Sequence, residues 1–164
     1  MRWSLASVAR LAIGVGALGA ALVGGALAAR PVSGRYAGEY TCAQGLTGMT
    51  LFMRMREGGR ADALVIFYAH PRNPGVASGC YTSAGVYDAR SGHLHLTPRA
   101  WIVRPGPDWF MTEMDGRIDA ARGAFTGREI YPPRPGDCST FTLKLNARPV
   151  GPAPKACTLN GAVS

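Results

Sequence analysis

Helical periodicity is almost missing from this sequence after Arg30: apolar residues do not recur at 3.6-residue spacing over any long stretch, and Gly or Pro punctuates the chain roughly every 8 to 14 residues. That excludes helical bundles and α/β folds, which need amphipathic helices of ten residues or more. Carboxylates are also scarce, 10 against 18 Lys and Arg. Glu113 and Asp115 fall on one strand face without standing out as an acid/base pair. There is no GxSxG, no HExxH and no phosphate-cradling glycine loop. No two cysteines have CxxC spacing, which argues against zinc and redox motifs. Together these absences point away from enzymatic chemistry, and no cofactor or metal is expected.

What is present begins with an address. Arg2 and Arg10 precede LAIGVGALGAALVGGALAA, a run without charge that ends in Ala26-Leu27-Ala28, the small-x-small pattern a signal peptidase accepts. Residues 1–29 therefore read as a signal peptide. If uncleaved, residues 11–29 are long enough to associate with a membrane as an anchor, since about 20 residues span a bilayer. Either way the remainder is expected in an oxidising compartment, the periplasm or outside the cell. Removal of Arg2 and Arg10, with no acid lost, lowers the formal charge from +8 to +6. That excess favours anionic partners, such as an anionic or amphipathic component of the cell envelope. Export makes nucleic acid an unexpected partner despite the basic charge.

Eight candidate strands follow Arg30: GRYAGEYTC, GMTLFMRMR, ADALVIFYA, GCYTSAGVY, HLHLTPRAWIV, WFMTEMDGRI, AFTGREIY and CSTFTLKLN. In the second, Met49, Leu51, Met53 and Met55 alternate with Thr50, Arg54 and Arg56; in the eighth, Phe141, Leu143 and Leu145 oppose Thr140, Thr142 and Lys144. One face is buried and the other is wet. The third strand is apolar on both faces, so alternation does not fix its register.

The connections fall into two kinds. REGGR (56–60), DARSG (88–92) and DAARG (119–123) are short, and the last two repeat D-A-x-x-G, with glycine where a left-handed residue closes a hairpin. AQGLTG after Cys42, HPRNPGVASG (70–79), RPGP (104–107) and PPRPGD (132–137) are mostly longer, and three contain proline. In a meander alternate connections lie at opposite ends, so the tight turns close one end and the elaborate loops crowd the other. The expectation is an all-β fold over residues 30–146, an eight-stranded antiparallel up-and-down barrel, a meander similar to those of lipocalins and avidins.

Four cysteines in the exported part imply two disulfides, with three connectivities to choose from. Cys42 ends the first strand and Cys138 begins the eighth, which are neighbours only if the barrel closes, so these two form the natural pair. Strand parity opposes it, because Cys42 shares a face with Tyr36 and Tyr40 whereas Cys138 opposes Phe141; a bulge or strand end would absorb the mismatch. Residues 147–164 form a proline-rich tail. Its ten steps from Ala147 to Cys157 reach roughly 33 Å when extended, enough to bring Cys157 to Cys80.

The looped end carries the candidate binding residues. By strict alternation Trp101 lies on the polar face of the fifth strand, and a short hairpin loop brings it near Trp109. Clustered tryptophans off the core suggest contact with a sugar, a lipid headgroup or a protein. Alternatively, a bulge at Pro98 turns Trp101 inward, or the tail covers both rings. The three proline-containing loops carry Arg72, Arg104 and Arg134, and three converging guanidinium groups would bind an anion. Asn73, Tyr81 and Tyr131 are placed to add hydrogen bonds. His93 and His95 point the same way but start at the tight-turn end, far from His70, so they are expected on the surface.

GEYTCAQG and ASGCY, with the export signal and the barrel pattern, resemble the periplasmic inhibitors of C-type lysozyme, small bacterial barrels with a YxC opening and a Ser-Gly loop that enters the lysozyme cleft. Carried over by position, Tyr40 and Cys42 match the opening, and Ser78, Gly79 and Tyr81 approximate the loop; the family has two residues between the glycine and the aromatic, where this chain has only Cys80. The chain is also similar to a domain recurring in exported proteobacterial proteins. Two functions are therefore expected: an exported, non-catalytic protein that binds an envelope ligand or small molecule through the looped end, and, alternatively, an inhibitor of an envelope-degrading hydrolase acting through residues 70–81.

Overall fold

A computed structural model describes residues 32–157. Residues 1–29, expected to be a signal peptide or anchor, and the last residues of the tail lie outside that range. The strands are β1 (Gly34–Cys42), β2 (Gly45–Met55), β3 (Arg60–Ala69), β4 (Gly79–Asp88), β5 (His93–Val103), β6 (Glu113–Asp119), β7 (Ala124–Ile130) and β8 (Thr140–Leu145). Each pairs antiparallel with the next and β8 returns to β1, so the sheet is a closed barrel. Two single 3-10 turns, Glu57–Gly59 and Pro135–Asp137, are the only helical pieces among the described residues.

The tight-turn end is built as the D-A-x-x-G repeat requires. Gly92 and Gly123 sit at φ 73° and 61°, where a side chain would be strained. The aspartate opening each turn caps it: Asp88 accepts from the Arg90 amide at 2.9 Å and Asp119 from the Arg122 amide at 3.0 Å.

The interior is stratified along the barrel axis. Its lower part is apolar, with Tyr36, Leu51, Leu94, Phe125 and Leu143 all essentially without exposure, and Phe125 packs edge-on against Phe141 at 4.6 Å and Tyr36 at 6.5 Å. Truncating such a ring to alanine typically costs about 3–5 kcal/mol. Toward the looped end the inward positions change character, to Tyr40, Thr47, Phe67, Tyr81, Ser83, Trp101 and Glu129.

Both faces of β3 are buried. Ala61, Ala63, Val65 and Phe67 belong to the barrel interior, whereas Leu64, Ile66 and Tyr68 form a second cluster on the outside with Cys80 and Cys157. The tail crosses this outer face: Tyr68 is hydrogen-bonded to the backbone of Val150 and to Thr50, and Cys157 is disulfide-bonded to Cys80. The doubly apolar third strand is therefore explained by two cores, one on each side of the sheet.

The second disulfide joins Cys42 to Cys138 across the β1–β8 seam. Cys138 precedes β8 instead of lying in it, so strand alternation does not bind it and the parity objection dissolves. No described cysteine is free. Two disulfides are compatible with an oxidising, exported location.

Three local expectations need correction. AQGLTG is not an elaborate loop: Cys42 pairs directly with Gly45, leaving only Ala43 and Gln44 as a two-residue turn, because Leu46 and Thr47 extend β2 toward the looped end. The sixth strand begins at Glu113, not Trp109, and the connection before it runs over residues 104–112. In β5 the alternation is broken: Ser83 pairs with Pro98 but Thr82 with Ala100, which leaves Arg99 as an extra residue, and a second shift follows at Ile102. Proline has no amide to give the ladder, and the bulge beside it reverses the facing of Trp101, until the second shift returns Val103 to the outer face beside Cys80.

Candidate functional site

The register reversal in β5 shapes the mouth of the barrel. Trp101 now pairs with Tyr81, which faces inward, and its indole packs edge-on to Tyr81 at 5.4 Å and to Phe67 at 6.1 Å. Meanwhile β5 and β6 are paired only from His93–Leu96 to Met114–Arg117, so the upper half of β5 has no partner on that side. Residues 104–112 fill the opening. Trp109 turns into it and stacks on Phe67 at 5.1 Å with the rings 13° from parallel. Trp101 and Trp109, eight residues apart in the chain, thus meet across one phenylalanine, half-buried and facing the interior.

Beside this aromatic group lies a cavity of about 210 Å³. Phe67, Tyr40, Tyr81 and Met49 line it from the strands, Trp109, Phe110 and Thr112 from the 104–112 loop, and Tyr131, Arg134 and Asp137 from the β7–β8 connection. Its wall includes Cys42 and Cys138, so the seam disulfide fixes one side. Phe110, 49% exposed, leans on Tyr131 at 4.9 Å on the rim. The volume suits a small molecule, below the range of drug-sized sites.

Hydrogen bonds hold the lining in position. Gln44 donates its side-chain amide to Tyr40 Oη at 3.1 Å and to Thr47 Oγ1 at 3.2 Å. Tyr81 Oη donates to the Thr112 carbonyl at 3.3 Å and shares a hydrogen with its hydroxyl at 3.0 Å, which ties the 104–112 loop to β4. Burial pushes both phenols well above their ordinary value, helped by the nearby Glu129 carboxyl.

Glu129 is the residue that sequence reasoning missed. It faces the interior from the end of β7 and is 1% exposed, and neither carboxyl oxygen has a hydrogen-bond partner. Burial pushes its pKa up to about 8, outweighing the influence of the nearby Thr112 hydroxyl. At neutral pH this carboxyl is mostly protonated. A sequence signal existed: Phe125, Gly127 and Glu129 share one parity, so a carboxylate stands on the core face of its strand.

The expected site residues are distributed as follows. Tyr81, Trp109, Tyr131 and Arg134 line the cavity, and Trp101 packs behind it against Phe67. Arg134 lies 5.7 Å over the Tyr131 ring and pairs with Asp137 at 3.2 Å. Arg104 donates to the carbonyls of Trp109 and Pro107 and so shapes its own loop. Arg72 is exposed beside Glu39 at 3.5 Å, with His70 on the same carboxylate at 3.2 Å. Asn73 donates to the carbonyls of Gln44 at 2.8 Å and Leu46 at 3.1 Å, fastening the β3–β4 loop to the β1–β2 turn. The three arginines thus serve three separate partners, and of them only Arg134 lines the cavity. In the 70–81 segment Ser78 is half-buried, Gly79 is buried against Phe67, Val103 and Pro105, and Tyr81 lies inside the barrel.

His93 and His95 sit at the other end, on the outer face. They clamp Asp115 at 3.1 Å and 3.0 Å, and His95 reaches Glu113 at 3.3 Å, joining β5 to β6 over the short stretch where these strands pair. Among the described residues no group of three or more His, Cys, Asp and Glu is arranged to hold a metal. No protein-family model matches the sequence, and no curated protein and no solved structure is significantly similar to it.

Proposed function

We propose that this chain is an exported, non-catalytic binding protein that takes a small amphipathic molecule of the cell envelope into the looped end of its barrel. The observation that carries the reading is the change of character along the interior: a fully packed apolar base gives way to a cavity of about 210 Å³ walled by aromatic rings and tyrosine hydroxyls. Aromatic walls with a few placed polar groups are the usual lining of a small-molecule site. The two disulfides support it further, since one braces the cavity wall and the other secures the outer face of β3 and β4. Rigid walls reduce the entropy lost on binding.

The ligand class favoured by this lining is amphipathic, because the arginines expected to form an anion site are committed elsewhere or, for Arg134, paired with Asp137. The test is an NMR titration of the disulfide-bonded protein with 4-methylphenol, a small amphipathic probe. The Trp109 indole and Tyr131 resonances are expected to shift and saturate, and Thr112→Trp, which fills the cavity, is expected to abolish the response. Absence of any saturable shift at these residues, or an unchanged response in Thr112→Trp, overturns the reading.

A further inference from the structure

The carboxyl of Glu129 has no structural task. Its oxygens make no well-formed hydrogen bond, the Thr112 hydroxyl being the polar group near them; it contributes no ion pair and occupies an interior position where an apolar residue would pack without penalty. The side chains around it, Tyr40, Tyr81 and Thr112, are the same ones that line the cavity. Phe67 and Trp109 present a parallel stack at that cavity, and Tyr131 a third ring toward its rim. Two further acids, Asp108 and Asp137, line it against one base, Arg134, which is paired with Asp137. Glu129 stands behind that lining, beside Tyr40, Tyr81 and Thr112, so its ionisation adds negative charge next to a cavity whose own wall holds two acids and one base, in a chain whose formal charge is +8.

Resting on the cavity-binding reading above, we infer that the ligand is an organic ammonium ion, held by the faces of the aromatic rings and by the Glu129 carboxylate. Aromatic faces attract ammonium groups, most strongly where water is excluded, and a buried carboxylate without a partner supplies the counter-charge. Neither feature favours an anion, which would meet Glu129 and two further acids. Binding then exchanges charge for charge. The ammonium enters, the Glu129 carboxyl loses its proton to solvent, and an ion pair replaces a neutral acid.

Proton release makes the binding depend on pH. The titratable groups facing Glu129 are Tyr40 from β1 and Tyr81 from β4, both pushed upward and therefore neutral, and no cation contributes to its shift. Since the carboxyl titrates at about 8 in the free protein, the affinity for a permanent cation rises up to about tenfold per pH unit below that value and levels off above it.

Calorimetric titration of the full disulfide-bonded chain with choline, and with its uncharged carbon isostere 3,3-dimethyl-1-butanol, tests this. At a pH of about 8.5 choline is expected to bind at least about tenfold tighter than the isostere. Its affinity is expected to climb about tenfold between pH 6 and 7, with proton release visible as a dependence on the buffer's ionisation enthalpy. Glu129→Gln is expected to remove the pH dependence and the preference while retaining the isostere. Equal affinity for the two compounds, or choline binding that is flat with pH, overturns the inference using the unaltered protein alone, whether or not the variant folds. If 4-methylphenol binds and choline does not, the ammonium assignment falls and the cavity reading stands; if neither binds, both fall.

Discussion

At the scale of single residues, Glu129 governs how this protein should respond to pH. In the unfolded chain a glutamate ionises near 4.5, whereas in the folded barrel burial moves this one to about 8. The unfolded state sheds its proton first, so this residue makes stability fall as pH rises from about 4.5 to about 8, with no further loss above. The penalty at the alkaline end is on the order of a few kcal/mol. Urea unfolding across this range should show the decline in the wild type and its disappearance in Glu129→Gln. Parallel profiles for the two proteins would remove Glu129 as the cause. Asp115 contributes the opposite sign. Partial burial works to raise its pKa, but hydrogen bonds from His95 and His93 more than offset this and hold it below the usual carboxylate value. The stability it supplies is present above the ordinary aspartate pKa and is lost as pH falls through the depressed value. The parity of Glu129 was legible in the sequence. Its lack of a partner was not, because that depends on what β1, β4 and the 104–112 loop bring to it.

At the scale of elements, the tail behaves as a ninth piece of the architecture without being a strand. Leu64, Ile66 and Tyr68 on the outside of β3 are all but inaccessible, and the tail contributes Val150 and Cys157 to that cover. Replacing Cys80 and Cys157 together by alanine should release the segment and lower stability by about 2–4 kcal/mol. Limited proteolysis is then expected to cut between Ala147 and Cys157, and a hydrophobic dye should bind the uncovered face. A variant that keeps the wild-type cleavage pattern would show that the tail adheres without its covalent tie. Alternation along β2 and β8 was readable because one face meets the core and one meets water. In β5 it failed from Pro98 onward: a missing amide favours a bulge, and whether the bulge forms is settled by how Trp101 packs against Tyr81 and Phe67. The start of β6 was misplaced for a related reason, since Trp109 gains more by stacking on Phe67 than by continuing a strand.

For the molecule as a whole, closure is the central fact. The β1–β8 ladder runs from Tyr36–Leu145 to Tyr40–Phe141, and the Cys42–Cys138 bridge holds it at the looped end, closing a loop of 96 residues of separation. Apart from the upper half of β5, closure leaves each strand paired on both sides, so opening the β1–β8 seam exposes two edges at once. Replacing Cys42 and Cys138 by alanine should lower stability by about 2–5 kcal/mol. Hydrogen exchange should quicken first at the amides of Tyr36 to Tyr40. Uniform exchange across the barrel in that variant would place the weakest seam elsewhere.

The sequence by itself determined that this is an all-β barrel and which end carries the longer loops, and it favoured Cys42 with Cys138 without settling the pairing, because periodicity, turn chemistry and chain reach are local or nearly local properties. Only the tertiary structure decided where Trp101 and Trp109 point, that the three arginines go to separate partners, and that a lone carboxyl is shut inside the mouth. Those outcomes depend on contacts between residues distant in the chain, where packing and desolvation outweigh any preference a short segment expresses on its own.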